Sequence, residues 1–153
     1  MEFYFGLVLA NFGAGKQNKA LFWLNKVLND NEQTLRQDIF TYARLFNLVV
    51  HYELANYDLL EYIVRSTQRF LSKHHRAHQV ENLLIESIKK LARITEPSAK
   101  RDLFRSLHQQ LVALVKDPNE SLVLKYFDVV AWASSHVEGI PFSEVVRKQG
   151  NAA

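Results

Sequence analysis

No cysteine occurs in the chain, which removes disulfide frameworks, thiol nucleophiles, iron–sulfur clusters and cysteine-ligated zinc. Proline and glycine are scarce, three and five among 153 residues, too few for the many turns of an all-β sandwich. No apolar run approaches the roughly 18 residues that a membrane-crossing helix needs. Neither sign of charge dominates. Nineteen Lys and Arg against sixteen Asp and Glu leave a formal +3, too little by itself to imply nucleic acid or an anionic membrane. What is present is an ordinary globular composition, 48% apolar and 23% charged, long enough to bury a core without covalent staples. The opening residues, 1–10, superficially resemble the apolar part of a secretion signal. They lack a basic leader, carry Glu2 instead and run into a helical pattern, so they read as folded helix in a cytoplasmic protein.

Apolar residues recur at intervals of three and four almost throughout, the period of amphipathic helices. The spacing predicts helices over about 2–13, 17–29, 32–54 and 57–72, with Asn31 as a candidate cap of the third. Inward positions on the third are Leu35, Ile39, Tyr42, Ala43, Phe46, Val49 and Val50. A fifth helix is expected over 76–95, ending before Pro97, which then opens a sixth reaching about Val115. Asp117-Pro118-Asn119-Glu120 reads as a helix start, Asp117 capping and Glu120 at the capping-box position, for a seventh helix ending at Gly139. Pro141 opens a short last helix, with fraying from Gly150. Eight short-linked helices make an all-α fold.

Internal repetition decides between a closed bundle and a row of hairpins. Tyr4, Leu7, Ala10 and Phe12 lie on the first helix, Gly15 at the turn, and Ala20, Leu21, Leu24, Lys26, Val27 and Leu28 on the second. This segment resembles the tetratricopeptide repeat (TPR), a helical hairpin. Ala10 and Ala20 are expected to leave room for neighbouring backbones. Three positions depart from the pattern: Val8 replaces glycine, Asn11 stands in place of tyrosine, and Glu32 replaces the closing proline. A second hairpin aligns about forty residues on, with Leu48, Tyr52, Ala55, Tyr57, Leu60 and Val64 in corresponding places, and from residue 77 the likeness is one of architecture only. The resemblance implies stacked antiparallel helical hairpins, a TPR-like α-solenoid forming a single domain over 1–149, with ligand contacts in a concave groove lined by first helices. Asn11, Asn47 and His51 are polar residues on those otherwise apolar faces and are the candidate partner contacts.

The first helix carries no charge from Phe3 to Gly15 and is apolar all round, a pattern of interior helices. The chain is therefore expected either to be the C-terminal part of a longer array or to self-associate through Phe3, Phe5, Val8 and Leu9.

Catalytic signals are weak. Gly13-Ala14-Gly15-Lys16 superficially matches a phosphate loop, but Ala10 and Gln17 stand where that motif needs glycine and Ser or Thr, so a turn is expected. His74, His75 and His78, with Glu81, form the only histidine cluster, and His74/His78 is the single candidate metal site, set at an expected turn. No Gly-x-Ser-x-Gly occurs. The strongest electrostatic feature is a stripe of Arg65, Arg69, Lys73 and Arg76 with no acid between Glu61 and Glu81. It complements the helix dipole, or it faces an acidic peptide or a nucleic-acid backbone. Phe70, the one aromatic among those charges, is expected to point inward. No cofactor is implied. The sequence thus predicts a non-catalytic scaffold for a protein or peptide, with a nucleic-acid-binding repeat as first alternative and a metal-dependent enzyme as second.

Overall fold

The computed structural model describes residues 1–31, 36–74 and 78–152, with side chains through residue 150. Eight α-helices are formed and no strand among the described residues: α1 Glu2–Gly13, α2 Gln17–Leu28, α3 Gln37–Glu53, α4 Tyr57–Lys73, α5 Gln79–Leu91, α6 Pro97–Leu114, α7 Val129–Glu138 and α8 Phe142–Ala152. Packing divides the chain into two compact units, Met1–Ala77 and His78–Ala153.

In the first unit α1 packs on α2, α2 on α3 and α3 on α4, with α1 also touching α3. The sides of the helices that turn inward are the ones the periodicity marks. Phe5, Val8 and Phe12 are buried on α1, Ala20, Leu24 and Val27 on α2, and Leu60, Ile63, Val64, Thr67 and Leu71 on α4. Every described residue expected inward on α3 is buried, and so are Phe40, Leu45 and Leu48. Leu35 lies outside the described residues. Edge contacts of Phe46 with Phe5 (centroids 6.5 Å) and Phe12 (4.9 Å) hold α1 against α3. Thr67 loses no hydrogen bond on burial, because its Oγ1 donates to the Ile63 carbonyl at 2.8 Å.

The two hairpins of this unit share one register. Gly13 and Glu53 end the first helices, and Gln17 and Tyr57 open the second, forty residues apart in each case. Buried residues pair off at that separation: Phe5 with Leu45, Val8 with Leu48, Phe12 with Tyr52, Ala20 with Leu60 and Leu24 with Val64. The turns match too. The Lys16 N–H donates to the Asn11 carbonyl (2.8 Å) and the Gly15 N–H to that of Phe12 (3.0 Å). Asn56 to His51 (3.0 Å) and Ala55 to Tyr52 (2.9 Å) repeat this Schellman pattern. The pattern needs a left-handed residue, supplied by Gly15 (φ 75°) in the first hairpin and by Ala55 (φ 59°) in the second.

Some expectations are corrected. Ala10 is exposed, and of the two alanines only Ala20 is buried. Phe5 and Val8 are buried within this unit, so of the four residues expected to meet a second copy only Phe3 is largely exposed. Asn31 sits in an exposed turn, and Arg36 is the residue preceding α3. Its guanidinium reaches both Asp38 and Glu2, tying the first turns of α3 and α1 together; these hydrogen bonds hold it charged far above the ordinary arginine range.

The second unit packs α5 on α6, α6 on α7 and α7 on α8. Trp132 on α7 meets Phe104 of α6 edge-on at 5.3 Å, and the His136 ring lies flat against Phe104 at 4.1 Å. Pro97 opens α6 as expected, after Glu96 in extended geometry. The seventh helix is shorter than the sequence predicts. Residues Ser121–Lys125 form a 3-10 helix, and α7 starts only after Asp128, whose Oδ1 accepts the Ala131 N–H at 2.9 Å. Asp117 spends its side chain on a turn, accepting from the Asn119 N–H at 2.9 Å. Glu120 caps another helix: its two carboxylate oxygens accept the N–H groups of Gln79 and Val80, both at 2.9 Å, at the start of α5. Gly139 ends α7 in the left-handed conformation (φ 70°), and α8 continues through Gly150, where fraying was expected.

Two substitutions test these joints. Ala55→Gly relieves a left-handed alanine at the cost of a looser unfolded chain, so chemical denaturation is expected to show a gain of about 0.5–1 kcal/mol. Glu120→Ala strands two N–H groups at the start of α5 and is expected to cost about 2 kcal/mol, with Glu120→Gln milder.

Candidate functional site

Two of the three polar residues expected to line an inner groove, Asn11 and His51, are engaged within the fold. Asn11 donates from Nδ2 to the Leu7 carbonyl one turn back, at 2.8 Å. His51 is 7% exposed, and its Nδ1 stands 3.0 Å from Asn56 Nδ2, joining the last turn of α3 to the residue before α4. Burial pushes the imidazole below the usual histidine range. The ring is therefore neutral at physiological pH and accepts at Nδ1 from the Asn56 amide. Asn47 is half-buried, and its Oδ1 has no hydrogen-bond partner.

The histidine cluster does not assemble on one helix. α4 ends at Lys73 and α5 begins at Gln79, so the continuous helix that would align His74, His78 and Glu81 is not formed. His74 is exposed with its ring 4.3 Å from that of Phe70, His78 is the residue preceding α5, and His75 lies outside the described residues. Among the described residues no group of three or more His, Asp or Glu is placed to hold a metal ion. The Gly13–Lys16 segment is the turn closing α1, and its Gly15 and Lys16 N–H groups are spent on helix carbonyls, not turned toward an anion.

The basic stripe is where chemistry remains available. Leu60, Ile63, Val64, Thr67 and Leu71 define the buried side of α4, which places Arg65, Arg69 and Lys73 on the opposite side, all exposed. Arg76 lies outside the described residues. Arg65, Arg69 and Lys73 form no ion pair with any described residue. Asp58 sits in the first turn of α4, where negative charge complements the helix dipole, and Lys73 in the last turn does the same for its other end. Arg65 and Arg69 lie in the body of the helix, beyond the reach of that explanation. Phe70 turns to the α3 side, meeting Phe40 at 5.4 Å with the Arg44 guanidinium 4.7 Å from its ring.

One residue of the site escaped the sequence reading. Tyr62, three residues before Arg65, is 60% exposed, and together with Arg65, Gln68, Arg69 and Ser72 it lines an open groove of about 530 Å³. Tyr62 lies outside the run of charges, and the i−3 spacing puts it on their face. The equivalent position of the first hairpin, Phe22, is exposed as well. Along α4 the groove runs about 15 Å from Tyr62 to Ser72, the length of four or five extended residues. Its described lining offers two planar guanidinium forks beside an aromatic ring and no nucleophile paired with a base. Guanidinium forks have the geometry for bidentate contact with carboxylate or phosphate groups.

Comparison with known proteins returns no match to a family model, to a curated protein or to a solved structure.

The state of His51 has a measurable consequence. A lowered folded-state pKa means that below about pH 6.5 the unfolded chain binds a proton the folded chain does not. Its contribution to stability is complete above that pH and is lost as the pH falls toward the folded value. Denaturation at stepped pH is expected to show this fall, and His51→Gln to flatten it. A variant with the same slope as the parent would refute the assignment.

Proposed function

We propose that the chain is a non-catalytic helical interaction module, its hairpins stacked in the TPR-like manner, that binds a protein partner through an acidic segment laid along α4. One observation carries the reading: Arg65 and Arg69, exposed and without an ion pair among the described residues, line a groove with the exposed Tyr62. Unpaired guanidinium groups in the middle of a helix do nothing for its dipole, and their geometry suits bidentate contact with carboxylates. Tyr62 adds apolar area and a hydroxyl at the end of the row, the combination enriched in protein-binding surfaces. The contact surface then lies on the second helix of a hairpin, not in the groove of first helices that the TPR resemblance implies, because Asn11 and His51 are already engaged.

Tyr62 also favours a second reading, single-stranded nucleic acid, in which a base stacks on the ring while the arginines follow the backbone. A lone aromatic and a formal charge of only +3 make it the lesser of the two. Metal-dependent catalysis at His74/His78 has no supporting geometry among the described residues.

Fluorescence anisotropy with a labelled Asp/Glu-rich peptide, its Asn/Gln counterpart and a mixed-sequence single-stranded oligonucleotide separates these readings. The acidic peptide is expected to bind and its amide counterpart not, with Arg65→Glu/Arg69→Glu weakening binding about tenfold or more. Tighter binding of the oligonucleotide would favour the second reading, and peptide binding indifferent to the double variant would remove the first.

A further inference from the structure

The outer face of the α1–α2 hairpin combines exposed aromatic rings with lysines, and the one acid of these two helices, Glu2 at the start of α1, is directed to Arg36. Phe3 is 73% and Phe22 55% exposed, so the hairpin leaves two large apolar side chains in water. They are the ends of a continuous aromatic row. Phe3 meets Tyr4 (centroids 6.1 Å), Tyr4 stacks on Trp23 across the two helices (5.7 Å), and Trp23 meets Phe22 edge-on (5.1 Å). Lys26 Nζ stands 5.5 Å from the centre of the Phe22 ring. Lys19 precedes Phe22 by three residues and Lys26 follows by four, so the two ammonium groups flank the ring along one face of α2, and both are exposed. No Asp or Glu occurs from Phe3 to Asn29, whereas Lys16, Lys19 and Lys26 do.

We infer that this face seats the protein on an anionic lipid surface, independently of the α4 groove. Phe and Trp rings enter the boundary between headgroups and acyl chains, while lysines on flexible stems reach the lipid phosphates and carboxylates around them. Two other occupants fit less well. A symmetric contact between two copies would set Lys19 and Lys26 against the same patch of the partner, cation against cation. Stacking of a further apolar hairpin would bury those ammonium groups, and Glu2, the acid of this hairpin, is already paired with Arg36. The attachment lies on the bilayer and does not cross it, since no helix among the described residues is long and apolar enough to span.

Intrinsic fluorescence provides the test. The chain has two tryptophans, and Trp132 is 1% exposed in the core of the second unit, so a lipid-dependent change in emission reports Trp23. Phosphatidylcholine vesicles containing phosphatidylserine are expected to shift the emission to the blue and to carry the protein down on sedimentation, reversibly with salt. Lys19→Glu/Lys26→Glu should weaken binding by roughly fivefold or more per lysine, and Phe22→Ser by about tenfold, with far-UV circular dichroism unchanged because all three positions are exposed. Arg65→Glu/Arg69→Glu should bind these vesicles like the parent, which keeps the result separate from that of the peptide experiment. The inference is overturned by any of three results: no shift with anionic vesicles, equal binding to pure phosphatidylcholine, or lipid-free self-association that the Phe22 variant abolishes.

Discussion

The first unit depends on the enclosure of α3. Twelve of its seventeen residues are buried, including the four aromatic rings of Phe40, Tyr42, Phe46 and Tyr52 and the polar His51 and Thr41, while α1, α2 and α4 all pack against it. The polar groups enclosed on this helix are met only in part: His51 is bound to Asn56, Arg44 rests between the rings of Phe40 and Phe70 with its charge partly desolvated, and the Asn47 Oδ1 and Arg44 Nε are left without a hydrogen bond. Because α3 supplies the common core, α1, α2 and α4 need bury only one side each. Their opposite sides are left free for solvent or for partners, and both surfaces proposed to bind are of that kind.

Much of this was legible before any coordinates. The bounds of α1, α2 and α4 agree with the periodicity to within a residue or two, since a three-four stripe of apolar residues facing a polar side has only one burial solution. The second hairpin at forty residues was readable from Leu48, Tyr52, Ala55, Leu60 and Val64. What was not readable is how far the register extends, because Phe5 with Leu45 and Ala20 with Leu60 match in burial and not in residue type. The start signal at Asp117–Glu120 misled for a definite reason. A capping box is a local pattern, and local patterns yield when a distant helix end offers its carboxylate two N–H donors, one of them buried, instead of a single local donor.

The site was half legible. Charge spacing marked Arg65, Arg69 and Lys73, and the structure places all three on the exposed side of α4. Tyr62 lies three residues before the run of charges, and nothing in the sequence separates Tyr62, facing out, from Phe70, facing in, except the phase of the stripe. The polar candidates on the first helices went the other way. Asn11 and His51 stand out by residue type on apolar faces, yet each serves the chain that carries it, one through a helix carbonyl and the other through an interhelical turn.

The Glu120 clasp bears on how the second unit comes into being. The first turn of α5 acquires its acceptors from a residue about forty positions later, a contact that closes a loop containing all of α5 and α6. On a ribosome, α5 emerges well before the carboxylate that completes it, so its leading end stays hydrated until the 3-10 segment has left the exit tunnel. Assembly of this half of the molecule is thereby tied to synthesis of its last third, whatever order the helices themselves nucleate in.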